Sequence, residues 1–210
     1  MARVPSARQL ELVSTVLLSL ATVATAWAAY QSRQWTGEQA LASSRATAAR
    51  ITENRTAALA NRQVQIDVAT FTEWLDARGA RPRLADFYRA RFRPEFEPAF
   101  DAWIATRPFI RGSSAPATPF DMAKYRLKAT ADAERLETTA AAGSERAKDA
   151  NSHAADYMLA VVLSASSLFF AGISTKLQTE RARGVTLGLG CLLFLVTVAW
   201  LATLPVLLSG

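Results

Sequence analysis

Leu12–Tyr30 reads LVSTVLLSLATVATAWAAY, nineteen residues without a charge, and the reading of this stretch decides the fold. An α-helix rises about 1.5 Å per residue and needs roughly 20 apolar residues to cross about 30 Å of hydrocarbon. The stretch has that length and lacks the one-sided polarity of a soluble amphipathic helix. Two later stretches share the property. Tyr157–Ser174 (YMLAVVLSASSLFFAGIS) is uncharged behind Asp156, and the only ionisable group in Val185–Leu208 is Cys191. The pattern predicts three transmembrane helices, at 12–30, 155–174 and 185–208. A secretory signal is the rival reading of the first, because Arg3 and Arg8 precede it and Ala26-Trp27-Ala28 has a small-x-small form. The length of the apolar run and the tryptophan inside that motif favour a retained anchor.

Working outward, the short flanks are basic. Arg3 and Arg8 lie in segment 1–11, and Lys176, Arg181 and Arg183 lie in the link 175–184. The positive-inside rule places both in the cytoplasm, with the long segment between the first two spans and the C-terminus outside. Trp27, Tyr30, Tyr157 and Trp200 then fall near the outer ends, where amphipathic rings anchor. The expected location is a bacterial inner membrane.

The long segment is expected to be an external helical hairpin. No Gly or Pro occurs between Glu38 and Arg78, and Gly79 with Pro82 supplies a stop signal. This gives a stalk helix over 31–79. A returning helix over 118–154 opens at Thr118-Pro119-Phe120-Asp121, with Thr118 as N-cap, Pro119 at the first helical position and Asp121 complementing the dipole. Matched lengths and opposite directions predict an antiparallel pair. The facing stripes are Ala57, Ala60, Val64, Val68, Phe71 and Leu75 on the first helix. On the second they are Tyr125, Ala129, Ala133, Leu136, Ala140, Ala147, Ala150 and Ala154. Residues 80–117 form a distal cap of short helices, broken at Pro94 and Pro98. Ten of the nineteen aromatic residues lie between Phe71 and Phe120, which predicts a small aromatic core there. The expected fold is therefore an all-α membrane protein with three spans and a capped external hairpin.

Chemistry-bearing residues are sparse. One Cys excludes an internal disulfide framework, and one His with one Cys excludes a His/Cys metal cage. His153 stands three residues from Asp156 at the outer boundary, a spacing that suits a proton relay but more ordinarily marks polar residues at headgroup level. Cys191 behaves as a small hydrophobe in an apolar helix. No phosphate-binding loop, nucleophile elbow or dinucleotide fingerprint occurs. The expectation is no catalysis, no metal and no cofactor. Nucleic acid is excluded as a partner because the basic cap faces away from the cytoplasm.

Two groups of residues suit partner binding. Arg78, Arg81, Arg83, Arg89, Arg91 and Arg93 fall within sixteen positions and suit an acidic protein face, although Asp76, Asp86, Glu95 and Glu97 are interleaved and offer local ion pairs. In the apolar stretches, Ala160, Ser164, Ser167 and Ala171 share a face and Gly184-x-x-x-Gly188 opens the third, the small-residue pattern of helix–helix contact. Alanine seams bury little area per residue, so a weakly held stalk gains from a partner.

The stretches AAYQSRQWTGEQA (28–40), FEPAFDAWIATRPF (96–109) and FFAGISTKLQTERAR (169–183) resemble uncharacterised bacterial three-span membrane proteins. That resemblance implies no activity. Twenty Arg against four Lys is consistent with a GC-rich bacterial genome. The expected function is a non-catalytic accessory or scaffold subunit of a larger membrane complex, for instance respiratory or photosynthetic, in contact with other membrane subunits and the lipid bilayer. The alternative is a sensor-like protein whose external segment binds a ligand and works through a separate output partner.

Overall fold

The computed structural model describes residues 7–111 and 114–207; the basic Arg3, Gly112 and Ser113 of the expected cap, and Leu208 at the end of the expected third span lie outside the described residues. Among the described residues there is no strand. Five α-helices follow in order: α1 (Ala7–Ala80), α2 (Pro82–Arg89), α3 (Glu97–Ala105), α4 (Lys128–Ser174) and α5 (Glu180–Leu201), with a single 3₁₀ turn at Pro119–Asp121. Helices α1, α4 and α5 are each long and apolar enough to cross a membrane.

The chain divides into two compact units, one of residues 1–45 and 143–210 and the other of residues 46–142. In the first unit the most apolar windows of α1, α4 and α5 have only 22%, 33% and 17% of their residues buried. Leu12, Val16 and Val23 on α1, Val162 and Phe169 on α4, and Leu192 and Leu195 on α5 are all exposed. The inward face is rich in small and hydroxyl residues: Ser14, Ala21, Ala28, Ala160, Ser164, Ser167 and Ala171 are buried, together with Leu10, Leu17, Tyr157 and Leu187. Water-soluble packing has the opposite order, and aliphatic exteriors over small-residue seams are the arrangement that hydrocarbon favours. Several hydroxyls within these helices are satisfied locally. Thr22 donates to the Leu18 carbonyl at 2.7 Å, Thr25 to Ala21 at 2.7 Å and Thr197 to Leu193 at 2.7 Å, so none needs water.

The third apolar stretch is not helical to its end. α5 stops at Leu201, four residues before Pro205, whose ring would meet the carbonyl four positions back if the helix continued. Residues 205–207 carry no regular structure. At the other end α5 begins at Glu180, inside the link expected at 175–184.

The second unit is a cap built on the C-terminal part of α1. Pro82 occupies the first turn of α2, as its missing N–H allows, and Pro98 does the same in α3. Phe71, Trp74, Phe92, Phe96, Phe100 and Trp103 form the core, with Leu84, Tyr88, Ile104, Phe120, Met122 and Tyr125 packed against it. Arg107 takes φ 53°, turning the chain after α3 so that Phe109 returns onto Trp103 at 5.4 Å.

The start of the returning helix also differs from the sequence reading. The returning helix expected from Thr118 begins at Lys128; residues 118–127 form a 3₁₀ turn and an irregular link. Thr118 does cap that turn, its backbone N–H (3.2 Å) and hydroxyl (2.8 Å) both donating to the Asp121 carboxylate. Continuing as a helix would place residues five apart about 140° apart. Phe120 and Tyr125 instead both meet the Phe96 ring, at 5.2 and 5.9 Å, and each other at 5.2 Å. Aromatic burial there outweighs the propensity of the local sequence.

Candidate functional site

The polar centre of the second unit is Asp67. It sits on the buried face of α1 with Ala60, Phe71, Trp74 and Ala77, spaced so that all point to one side of the helix. Its side chain is 0% exposed. Oδ2 accepts a hydrogen bond from Arg93 Nη1 at 2.9 Å and from the Tyr125 hydroxyl at 3.0 Å. Arg93 extends its second amino group to Glu95, and Glu95 Oε1 accepts the backbone N–H of Lys128 at 3.2 Å. One guanidinium thus joins three segments: α1, the 93–95 turn and the start of α4. Burial pushes the Asp67 carboxyl above its usual value, against the Tyr125 and Arg93 bonds that pull it down. Burial also raises the Tyr125 phenol, with the charge of Asp67 adding to the effect. Charge-assisted bonds to a buried group are strong, and removing either partner typically costs about 3–5 kcal/mol.

Asp67 was not legible as a site residue in the sequence. The stripe read from spacing used Val68 and Leu75, which are 42% and 41% exposed, whereas Asp67 and Trp74 take the inward positions. The available signal was an acid at i−4 from Phe71 and i+7 from Ala60. On the later helix the stripe lies inward as read: Ala129, Ala140, Ala150 and Ala154 are buried, and Ala133, Leu136 and Ala147 are half-buried.

The six arginines have separate fates. Arg93 is internal, only 20% exposed and held by Asp67 and Glu95. Arg89 pairs with Asp101 at 2.8 Å on the surface. Arg91 lies over the Phe87 ring at 3.3 Å and donates to the Phe87 carbonyl. Arg78 lies over Phe109 at 3.3 Å. Arg81 and Arg83 are exposed. The outward surface of the cap therefore presents two guanidinium–phenyl stacks, with Phe87 and Phe109 each nearly half exposed. A groove of about 450 Å³ runs beside Tyr125, lined also by Val64, Arg126, Thr130 and Glu134.

In the first unit the small residues fall into two sets. Ala160, Ser164, Ser167 and Ala171 are buried inside the chain. Gly190 packs against that face, where an added Cβ would meet Phe170 Cβ and the Ser167 carbonyl at 3.3 Å. Gly184 and Gly188 have no such neighbour within 4 Å. The internal contact at the end of α4 thus uses Gly190, which the sequence reading did not single out.

A collar of polar contacts closes the opposite end of α5. The Gln31 amide bonds Leu207 in both directions, donating to its carbonyl at 3.3 Å and accepting its N–H at 3.0 Å. Trp35 Nε1 and the Tyr157 hydroxyl both donate to the Pro205 carbonyl at 3.2 Å. These bonds replace the helical ones that Pro205 forbids. Ser32 donates across to the Ala154 carbonyl at 3.0 Å. His153 turns its ring onto Trp35 at 4.6 Å, and Asp156 is half-buried.

No known protein family, curated protein or solved structure matches the chain.

Proposed function

We propose that the protein is a multi-pass membrane anchor whose helical cap docks onto an acidic face of a partner, making it a non-catalytic accessory subunit of a larger bacterial membrane complex. The guanidinium–phenyl stacks of Arg91 on Phe87 and Arg78 on Phe109 carry this reading. Arginine and aromatic side chains are the residues enriched at the energetic centres of interfaces, and a stacked guanidinium keeps its outer donors for a carboxylate. Exposed Arg81 and Arg83 extend the same positive surface. The proposed arrangement is an antiparallel helical hairpin outside the cytoplasm, with the N-terminus inside. The bond of Ser32 to Ala154 and the shared cluster of Leu17 with Ala171 support the pairing of α1 with α4 in opposite directions.

A photo-crosslinking residue at Phe87 or Phe109, in native membranes, should capture one membrane polypeptide that also co-purifies in fixed ratio in mild detergent. Capture should fall on reversing charge at Arg78 and Arg91, and with rising salt, because screening acts within about 10 Å at 0.1 M. A chain that purifies alone, or capture indifferent to both changes, defeats the docking reading. Orientation is tested separately. Ser43→Cys and Gln178→Cys, each in a Cys191→Ser background, should respectively accept and refuse an impermeant maleimide in intact cells; the reverse pattern inverts the topology.

A further inference from the structure

We propose that Asp67 is a buried proton-binding site, holding its carboxyl as the neutral acid with Oδ1–H donated to the side-chain carbonyl of Gln63 one turn earlier on α1. The inference is independent of the docking reading. It begins from an imbalance of donors and acceptors. Asp67 Oδ2 is fully served by Arg93 and Tyr125, whereas Oδ1 is buried without a donor. Gln63 Oε1 is likewise buried without a donor. The two residues are four apart on one helix, the spacing at which Gln and Asp side chains meet. Two buried acceptors facing no donor are costly, and an ionised carboxylate only accepts. One proton on Oδ1 supplies the missing donor and, shared with Gln63, satisfies both oxygens.

Charge leads to the same assignment. The charged or titratable groups that reach Asp67 are Arg93, Glu95 and Tyr125. Lys128 enters the network through its backbone N–H. A single guanidinium between two carboxylates leaves one negative charge uncompensated if both are ionised. Glu95 is 33% exposed and accepts the Lys128 amide; Asp67, 0% exposed, is the acid that retains the proton. The Arg93–Glu95 pair then balances, and Asp67 contributes a neutral clamp between α1, the 93–95 turn and Tyr125.

The consequence is a pH-dependent clamp. The folded chain binds this proton more tightly than the unfolded chain, so the stabilisation is complete below the ordinary aspartate value of 3.8. It declines as pH rises through the raised folded value, and levels off above it, where an unbalanced charge is buried. Acid therefore tightens the cap at this position, the reverse of an ordinary salt-bridged aspartate.

The test is infrared titration of the full chain in detergent, compared with Asp67→Asn. Asn reproduces the neutral acid, with one acceptor oxygen for Arg93 and Tyr125 and an amide N–H to donate to Gln63. A carboxylic-acid band should persist after surface carboxylates have ionised, above about pH 5, and be absent in Asp67→Asn. Gln63→Leu should retain the band and move it to higher frequency, since the acid loses its acceptor. Asp67→Asn should also flatten the pH dependence of unfolding of the second unit. Gln63→Leu and the unsubstituted chain still decide the matter if Asp67→Asn fails to fold. Loss of the band together with the surface carboxylates would overturn the proposal. So would its persistence in Asp67→Asn, or an Asp67→Asn chain that folds yet is less stable at every pH: the last places an ionised Asp67 against a Gln63 amide turned end for end, donating through nitrogen.

Discussion

The two units of this chain solve packing in opposite ways. In the second, Phe96, Phe100 and Trp103 are buried among other rings, and charged groups either lie outside or are matched by partners. In the first, alanine, serine and threonine make up most of the buried face, with Leu10, Leu17, Tyr157 and Leu187 among them, and most of the bulky aliphatic residues point outward. The difference teaches what each surface is built to meet. Aromatic burial releases large areas from water, so it is worth most where water is the alternative. Where hydrocarbon is the alternative, burying a leucine gains little; close backbone approach and satisfied polar groups hold helices together instead. Ser32 to Ala154 and the Gln31–Leu207 pair are such contacts. Helix α1 contributes to both units and changes from one chemistry to the other without a break.

The comparison is broken most directly at Phe96. Its ring touches Phe92 at 4.9 Å, Phe120 at 5.2 Å and Tyr125 at 5.9 Å, so Phe96→Ala leaves a cavity at the meeting point of three segments. The expected loss is about 3–5 kcal/mol. Hydrogen exchange should accelerate across residues 84–104 and stay unchanged across residues 160–171. Equal acceleration in both would mean that the units share one cooperative core, contrary to the division argued above.

A smaller effect sharpens the other side. Gly190→Val drives methyl groups into the Ser167 carbonyl and Phe170, and overpacking of this kind costs about 1–3 kcal/mol. Gly188→Val, two residues away, meets open space and should leave the isolated chain unaltered by thermal unfolding in detergent. If Gly188→Val instead separates the chain from a complex while Gly190→Val does not, the Gly184–Gly188 face is where a neighbouring helix lies. A destabilised isolated Gly188→Val chain would show that α5 packs through that face internally.

What the sequence made legible follows from periodicity and composition. The apolar runs marked helices α1, α4 and α5 because twenty uncharged residues admit few other uses. The crowding of aromatic residues between Phe71 and Phe120 declared a core; Pro82 read as part of a stop signal and Pro98 as a break, and each stands in the first turn of the helix that follows. Three features were hidden, each for a tertiary reason. The link 118–127 carries good capping residues, yet the demands of Phe120 and Tyr125 on one ring override them. Pro205 lies inside an uninterrupted apolar run, and hydropathy alone does not register a helix stop. Asp67 interrupts an apolar stripe, and a pattern of apolar spacing passes over an ionisable residue whose partners, Arg93 and Tyr125, are distant in sequence.

The smallest predicted effect tests that last point on α1 itself. Spacing alone selects Val68 and Leu75 for the inward face, and both are offset by one residue from Asp67 and Trp74, which are buried. One residue on a helix is a rotation of about 100°, enough to carry a side chain from the seam to its edge. Val68→Thr preserves shape while adding a hydroxyl, and Leu75→Gln preserves length and helix propensity while adding an amide. If the inward face is the one that carries Asp67, each change should shift stability by no more than about 0.5 kcal/mol, the range of ordinary surface substitutions. Thermal unfolding of the two variants in detergent, beside Phe96→Ala as reference, measures this. A loss in Val68→Thr or Leu75→Gln that approaches the Phe96→Ala value would return the seam to the apolar stripe, turn Asp67 toward solvent and remove the basis of its buried clamp.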